Sequence, residues 1–139
     1  MSLAEIVSYG LKPVASVSIL EDQFRVEVSD GVLAQETQCI YAFVVDDRIL
    51  RVGSSKAKLS KRLNAWARDV SAALQGHKYA TPKSEAEGWR SELERAGRGK
   101  VFARRGTIVK TPLGEISSYL DEERVLIEKY RPRFNHSHR

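Results

Sequence analysis

The residues with chemistry to offer fall in three stretches. Cys39-Ile40-Tyr41 is followed, ten residues on, by Arg51-Val52-Gly53-Ser54-Ser55. Leu59-Ser60-Lys61-Arg62-Leu63 comes next. Near the end stand Asp121-Glu122-Glu123 and then Arg131-Pro132-Arg133-Phe134-Asn135. Tyr41 offers a phenol that can take or pass a proton. Alone in an apolar run, it reads first as a core aromatic. Arg62 offers a planar fork that matches two phosphate oxygens, or it is a surface arginine lying over Trp66. The acidic trio could hold a cation, or it could simply favour the start of a helix. Cutting a phosphodiester needs an activated water, a positive charge for the phosphoryl oxygens and help for the leaving oxygen, and these side-chain types suit that work. The sequence has no phosphate-binding glycine loop and no Ser-His-Asp arrangement. Cys39 is its only cysteine, which excludes an internal disulfide and a cysteine zinc cluster.

The elements that must position these residues can be read from periodicity. Residues 14–19 and 24–28 alternate around Glu21-Asp22-Gln23, the pattern of a hairpin. Cys39–Val45 is almost continuously apolar, as a buried strand requires. Asp46-Asp47 makes a turn, residues 49–52 return as a strand, and Gly53-Ser54-Ser55 is expected to end it and cap the next helix. Leu59, Leu63, Trp66, Val70, Ala73 and Leu74 share one stripe of that helix, over residues 58–74. A polar loop comes after it, then a charged helix over 85–96 stopped by Gly97-Arg98-Gly99. Strands are predicted around 101–105 and 107–110, a chain break at Pro112-Leu113-Gly114, and a last helix over 117–129 ended before Pro132. The class is α+β, an antiparallel sheet with flanking helices. At 139 residues the chain is read as a single domain, residues 1–139, with a helical segment inserted at about 75–99.

Taken together, and in this order, the motifs resemble the GIY-YIG nuclease family. A hairpin carries the two name motifs, the next helix an arginine, and the last helix a glutamate followed by a P-x-[YF]-N ending. The match covers about residues 39–74 and 117–135. The small size and inserted helix look most like the phage endonuclease II group. Residues 126–135 look like the end of the nuclease domain in the excision-repair incision subunit. The resemblance implies a DNA endonuclease that leaves a 5′-phosphate and a 3′-hydroxyl. It implies Tyr41 as base or relay beside the water and Arg62 on the phosphate. It implies Glu123 as the one protein ligand of a divalent metal, Mg²⁺ or Mn²⁺, since Mg²⁺ keeps several waters and takes one or two carboxylates. The twelve residues from Glu123 to Asn135 select Glu123 over Glu122, whose loss is then expected to be mild. Asn135 is expected to anchor backbone beside the site. Arg51 stands where the family has tyrosine. Tyr41 and Arg51 are equidistant from Asp46, so an odd loop, such as three residues, pairs them across the hairpin and sets Arg51 in the site beside the phenol. A two-residue turn would pair Tyr41 with Val52 and turn Arg51 to the other face; because the family uses both positions in one site, the resemblance implies the odd loop, with Arg51 beside Tyr41. The alternative reading is a catalytically inactive GIY-YIG-like module that keeps the fold to bind DNA.

Charge distribution agrees with a polyanionic partner. Residues 1–50 carry a net charge of −5 and residues 51–139 a net of +10. Lys56, Lys58, Lys61, Arg68, His77, Arg104, Arg105, Arg131 and Arg133 are the expected contacts to double-stranded DNA, positioning the backbone. His136 and His138 read as a solvated tail. No apolar run nears the ~20 residues of a membrane-spanning helix, and the start lacks a secretory pattern. A cytoplasmic location without membrane contact is expected. Cutting both strands would imply a homodimer or homotetramer, since one chain has one site.

Overall fold

Two hairpins set the frame. In the computed structural model, which describes residues 2–77 and 81–135, β1 (Lys12–Leu20) and β2 (Gln23–Val28) pair around Glu21-Asp22. β3 (Cys39–Val45) and β4 (Arg48–Ser55) pair around Asp46-Asp47. All four turn residues have positive φ, between 48° and 64°, the two-residue turn whose twist matches that of paired strands. Aspartate tolerates that backbone better than most residues. β5 (Gly99–Arg105) lies between β1 and β3, giving one antiparallel sheet in the order β2-β1-β5-β3-β4. Every residue of β3 is buried, which is why its sequence shows no alternation.

Helices cover both faces. On one lie α2 (Gly31–Ala34), α3 (Leu59–Leu74) and α4 (Lys83–Ala96), packed over Val14, Tyr41, Phe43, Val45 and Val101. On the other lie α1 (Ser2–Ser8) and α5 (Tyr119–Tyr130), packed over Ile40, Ala42, Val44, Val52 and Phe102. β6 (Ile108–Thr111) and β7 (Gly114–Ser117) form a separate two-stranded hairpin before α5. The first face is aromatic at its centre. Trp66 and Trp89 lie 5.1 Å apart, Phe43 is 4.6 Å from Trp66, and Phe134 is 4.5 Å from Trp89. Such pairs contribute about 0.5–1.5 kcal/mol each beyond area burial.

Four expectations need correction. Gly53, Ser54 and Ser55 are the last residues of β4, because β3 extends far enough to pair Cys39 with Ser55. Consequently α3 starts after Lys58 with no side-chain cap. Pro112 and Leu113 are the turn of the β6–β7 hairpin, so the chain returns there as a strand where only a break was expected. The short helices α1 and α2 lie outside the expected elements, since each buries too few residues to show a period. The β3–β4 loop holds two residues where an odd number was expected, and a bulge at Leu50 shifts the register by one: Phe43 pairs with Arg51, Ala42 with Val52 and Tyr41 with Gly53. α4, within the segment read as inserted, is part of the main core, with Trp89 fully buried.

Candidate active site

β4 is an edge strand, and its last residues carry the site. Tyr41 faces Gly53 across the ladder. A Cβ at residue 53 would lie 2.8 Å from Tyr41 Cε1 and nearer still to Cζ and Oη. Only glycine leaves room for the phenol. Gly53→Ala should therefore displace a ring that is 1 % exposed and cost about 1–3 kcal/mol by overpacking. It should also lower any activity that depends on the phenol at least tenfold. Chemical denaturation and a rate measurement check both, and an alanine variant of native stability would mean that the ring has an alternative seat.

Arg62, in the first turn of α3, donates from Nε to Tyr41 Oη at 3.2 Å. It is exposed, while Leu59, Leu63 and Trp66 of the same helix are buried. Ser54 pairs with Ile40 and so belongs to the other face, where α5 lies. Its Oγ donates to Glu123 Oε1 at 2.9 Å. The Gly53–Ser54 link is thus approached by Tyr41 and Arg62 from one side of the sheet and by Glu123 from the other. Sequence reasoning does not single out Ser54 for this contact; its place directly after Gly53 is the available signal.

The C-terminal segment closes the strand edge up to this point. The Asn135 side chain accepts from Val52 N–H at 2.8 Å and donates to Val52 C=O at 2.7 Å. Phe134 N–H donates to Leu50 C=O at 2.9 Å. Asn135 is 1 % exposed, and it holds backbone in place. Arg51 donates from Nη1 to the Phe134 carbonyl at 3.1 Å. The expected pairing of Arg51 with Tyr41 is corrected: the bulge keeps Arg51 on the Tyr41 face, but two pairs further along, opposite Phe43. The cation on the phenol is Arg62.

Glu122 and Glu123 have different neighbours. Glu122 accepts from Arg104 Nη2 at 2.6 Å, Thr107 N–H at 2.8 Å and Ser118 Oγ at 3.0 Å. Burial alone would raise its pKa, but these donors outweigh burial and hold it at about 2. Glu122 therefore ties β5 and the β6–β7 hairpin to α5, and its loss is expected to cost stability in addition to any mild effect on cleavage. A depressed carboxylate stabilises the fold above its unfolded pKa, near ~4.5, and that contribution is lost as pH falls towards 2. For Glu122 it is on the order of 3 kcal/mol. Acid titration should show Glu122→Gln less stable than wild type at pH 7 and the two converging near pH 2. A constant gap would refute the ion-pair account.

The remaining sequence candidates divide. Lys56, Lys58 and Lys61 are exposed and, with Arg62 and Ser54, line a shallow depression of about 290 Å³ beside the site. Arg68 and His77 are exposed further along and beyond α3, and Arg131 is exposed at the left-handed end of α5. Arg105 pairs with Glu36 at 3.6 Å. Arg104 and Arg133 are tied to Glu122 and Glu92, at 2.6 Å and 3.0 Å. Cys39 is fully buried, and burial pushes its thiol up to about 11, so it is no nucleophile. His136 and His138 lie outside the described residues. Among the described residues no three His, Cys, Asp or Glu side chains gather as a metal cage, and no helix is long and apolar enough to cross a membrane.

No protein-family model and no curated protein matches the sequence significantly. Solved structures do match the fold. A mutant of bacteriophage T4 EndoII aligns with TM-score 0.65 and 16 % identity, covering 96 % of this chain and 98 % of that one. The restriction endonuclease HPY188I, in complex with product DNA, aligns with TM-score 0.55 and 15 % identity, covering 91 % and 76 %. The likeness is one of fold.

Proposed function

We propose that this protein is a divalent-metal DNA endonuclease of the GIY-YIG type, a single domain acting on double-stranded DNA. The observation that carries the reading is the arrangement at Gly53–Ser54, with the Tyr41–Arg62 pair on one side and Glu123 on the other. The fold shared with a restriction endonuclease solved with product DNA supports it. So does the row Lys56, Lys58, Lys61 beside Arg62.

The donor set suits Mg²⁺ or Mn²⁺. One partly buried carboxylate with a hydroxyl beside it, and no protein cage among the described residues, matches an ion that keeps waters and phosphate oxygens as its other ligands. Glu123 would hold it, and the ion would supply charge stabilisation at the phosphate. Arg62 spends Nε on the phenol and keeps its two terminal nitrogens for the phosphate oxygens. Tyr41, seated on Gly53, passes on the proton of the attacking water. Ser54 aims the Glu123 carboxylate. A phage-type or restriction role is the one suggested by the fold shared with bacteriophage T4 EndoII and HPY188I.

A plasmid-nicking assay with Mg²⁺, repeated in EDTA, tests the reading. Metal-dependent nicking is the expected result. Tight binding without nicking would instead support the inactive DNA-binding module, for which Arg51 at the second motif speaks. Binding should also be electrostatic, falling by roughly 10³-fold between ~50 and ~200 mM salt for about six phosphate contacts. A flat salt dependence would remove DNA as the partner.

A further inference from the structure

A second constellation lies at the other end of β4. Arg48 from the start of that strand, Arg95 from α4 and Arg133 from the C-terminal segment all donate to Glu92, at 2.5, 2.7 and 3.0 Å. Arg95 also reaches Asp46 in the β3–β4 turn. Glu92 is 6 % exposed, but the arginine side chains are 50 %, 52 % and 53 % exposed. Here the carboxylate is enclosed and the guanidinium groups face outward around an open polar depression that Ser91 also lines. Three cations against Glu92 and Asp46 leave one net positive charge. Arg48 and Arg95 each have five N–H donors, more than their bonds to Glu92 and Asp46 use.

The cluster is placed to act with the proposed site. Arg48 pairs with Val45, which packs in the same core layer as Tyr41, so both ends use one face of the sheet. Arg133 precedes Phe134 and Asn135, which run along the β4 edge to Val52. From Arg48 to Gly53 is four rungs of the ladder, about 14 Å, since Leu50 is bulged, equal to about four phosphates of one DNA strand.

We propose that Arg48, Arg95 and Arg133, gathered around Glu92, form a second backbone-phosphate position for the DNA that the Tyr41–Arg62 end would cut. Glu92 is the positioning residue that fixes the three forks. This rests on the nuclease reading, so the test measures duplex binding in EDTA, where cleavage plays no part. In the Arg48→Gln, Arg95→Gln double variant, the slope of log affinity against log salt should shrink by about 2, with roughly 50-fold weaker binding near ~0.1 M salt. The Arg48→Lys, Arg95→Lys variant keeps the charges and should keep the slope. Should the glutamine pair fail to fold, Arg48→Gln alone should shrink the slope by about 1. Wild-type slopes in the folded glutamine variants, with a lower melting temperature, would overturn the phosphate position and leave a brace. A salt-independent wild type would bring down the nuclease reading and this inference together, and is thereby distinguished from failure of the cluster alone.

Discussion

Glu123→Gln should bring DNA cleavage below detection while leaving duplex binding within a few-fold of wild type. Glutamine keeps the volume, and its amide oxygen can still accept from Ser54 Oγ, the bond present at 2.9 Å. What disappears is the negative charge that would hold the divalent ion, and that charge makes no favourable contact with DNA. Its neighbour gives the control. Glu122→Gln weakens the anchor on Arg104, Thr107 and Ser118, so it should lower stability while folded molecules still cut. Equal loss of turnover in both, at a temperature where both are folded, would show that the wrong carboxylate has been assigned. A fully active Glu123→Gln would end the metal-site proposal.

Arg62→Ala should slow cleavage by about 10²–10³-fold, the usual scale for one preorganised donor to developing charge. The loss should fall in turnover under saturating DNA, because Arg62 would act on the phosphate at the moment of reaction while Lys56, Lys58 and Lys61 continue to hold the backbone. Stability should change little, since Arg62 is exposed and the helix is held by Leu59, Leu63 and Trp66. Arg62→Lys keeps the charge but loses the planar fork and the Nε bond to Tyr41, so it should recover only part of the rate. Single-turnover kinetics with a labelled duplex separate the alternatives. An alanine variant that unfolds, or cuts at the wild-type rate, would make Arg62 a packing residue.

The two residues at which this sequence departs from the motifs it resembles have structural places. Cys39, where the GIY-YIG family usually has glycine, is buried on β3 and paired with Ser55 and Arg105, where a small apolar side chain serves. Arg51, where that family has tyrosine, holds the Phe134 carbonyl, so it joins the strand edge to the C-terminal segment. The Tyr41 phenol is instead contacted by a residue of α3.

What the sequence by itself determined is local. Alternation marked the β1–β2 hairpin, continuous burial marked β3, and a stripe at helical spacing marked α3 to within a residue. These patterns are written by which side of one element faces the core, so a single chain displays them. The spacing of Tyr41, Arg62, Glu123 and Asn135 likewise needs only a linear order. What the tertiary structure alone decided is partnership. A one-residue bulge at Leu50 places Arg51 opposite Phe43 and gives Tyr41 its seat on Gly53, and no periodicity announces a bulge. Glu122 and Glu123 are adjacent in sequence but point along directions about 100° apart on a helix. One therefore meets Arg104 and the other Ser54. Arg48, Glu92, Arg95 and Arg133 come from three elements and meet only because β4, α4 and the C-terminal segment pack together. Charge pairs of that kind are fixed by distances through space, and the order of residues along a chain does not contain them.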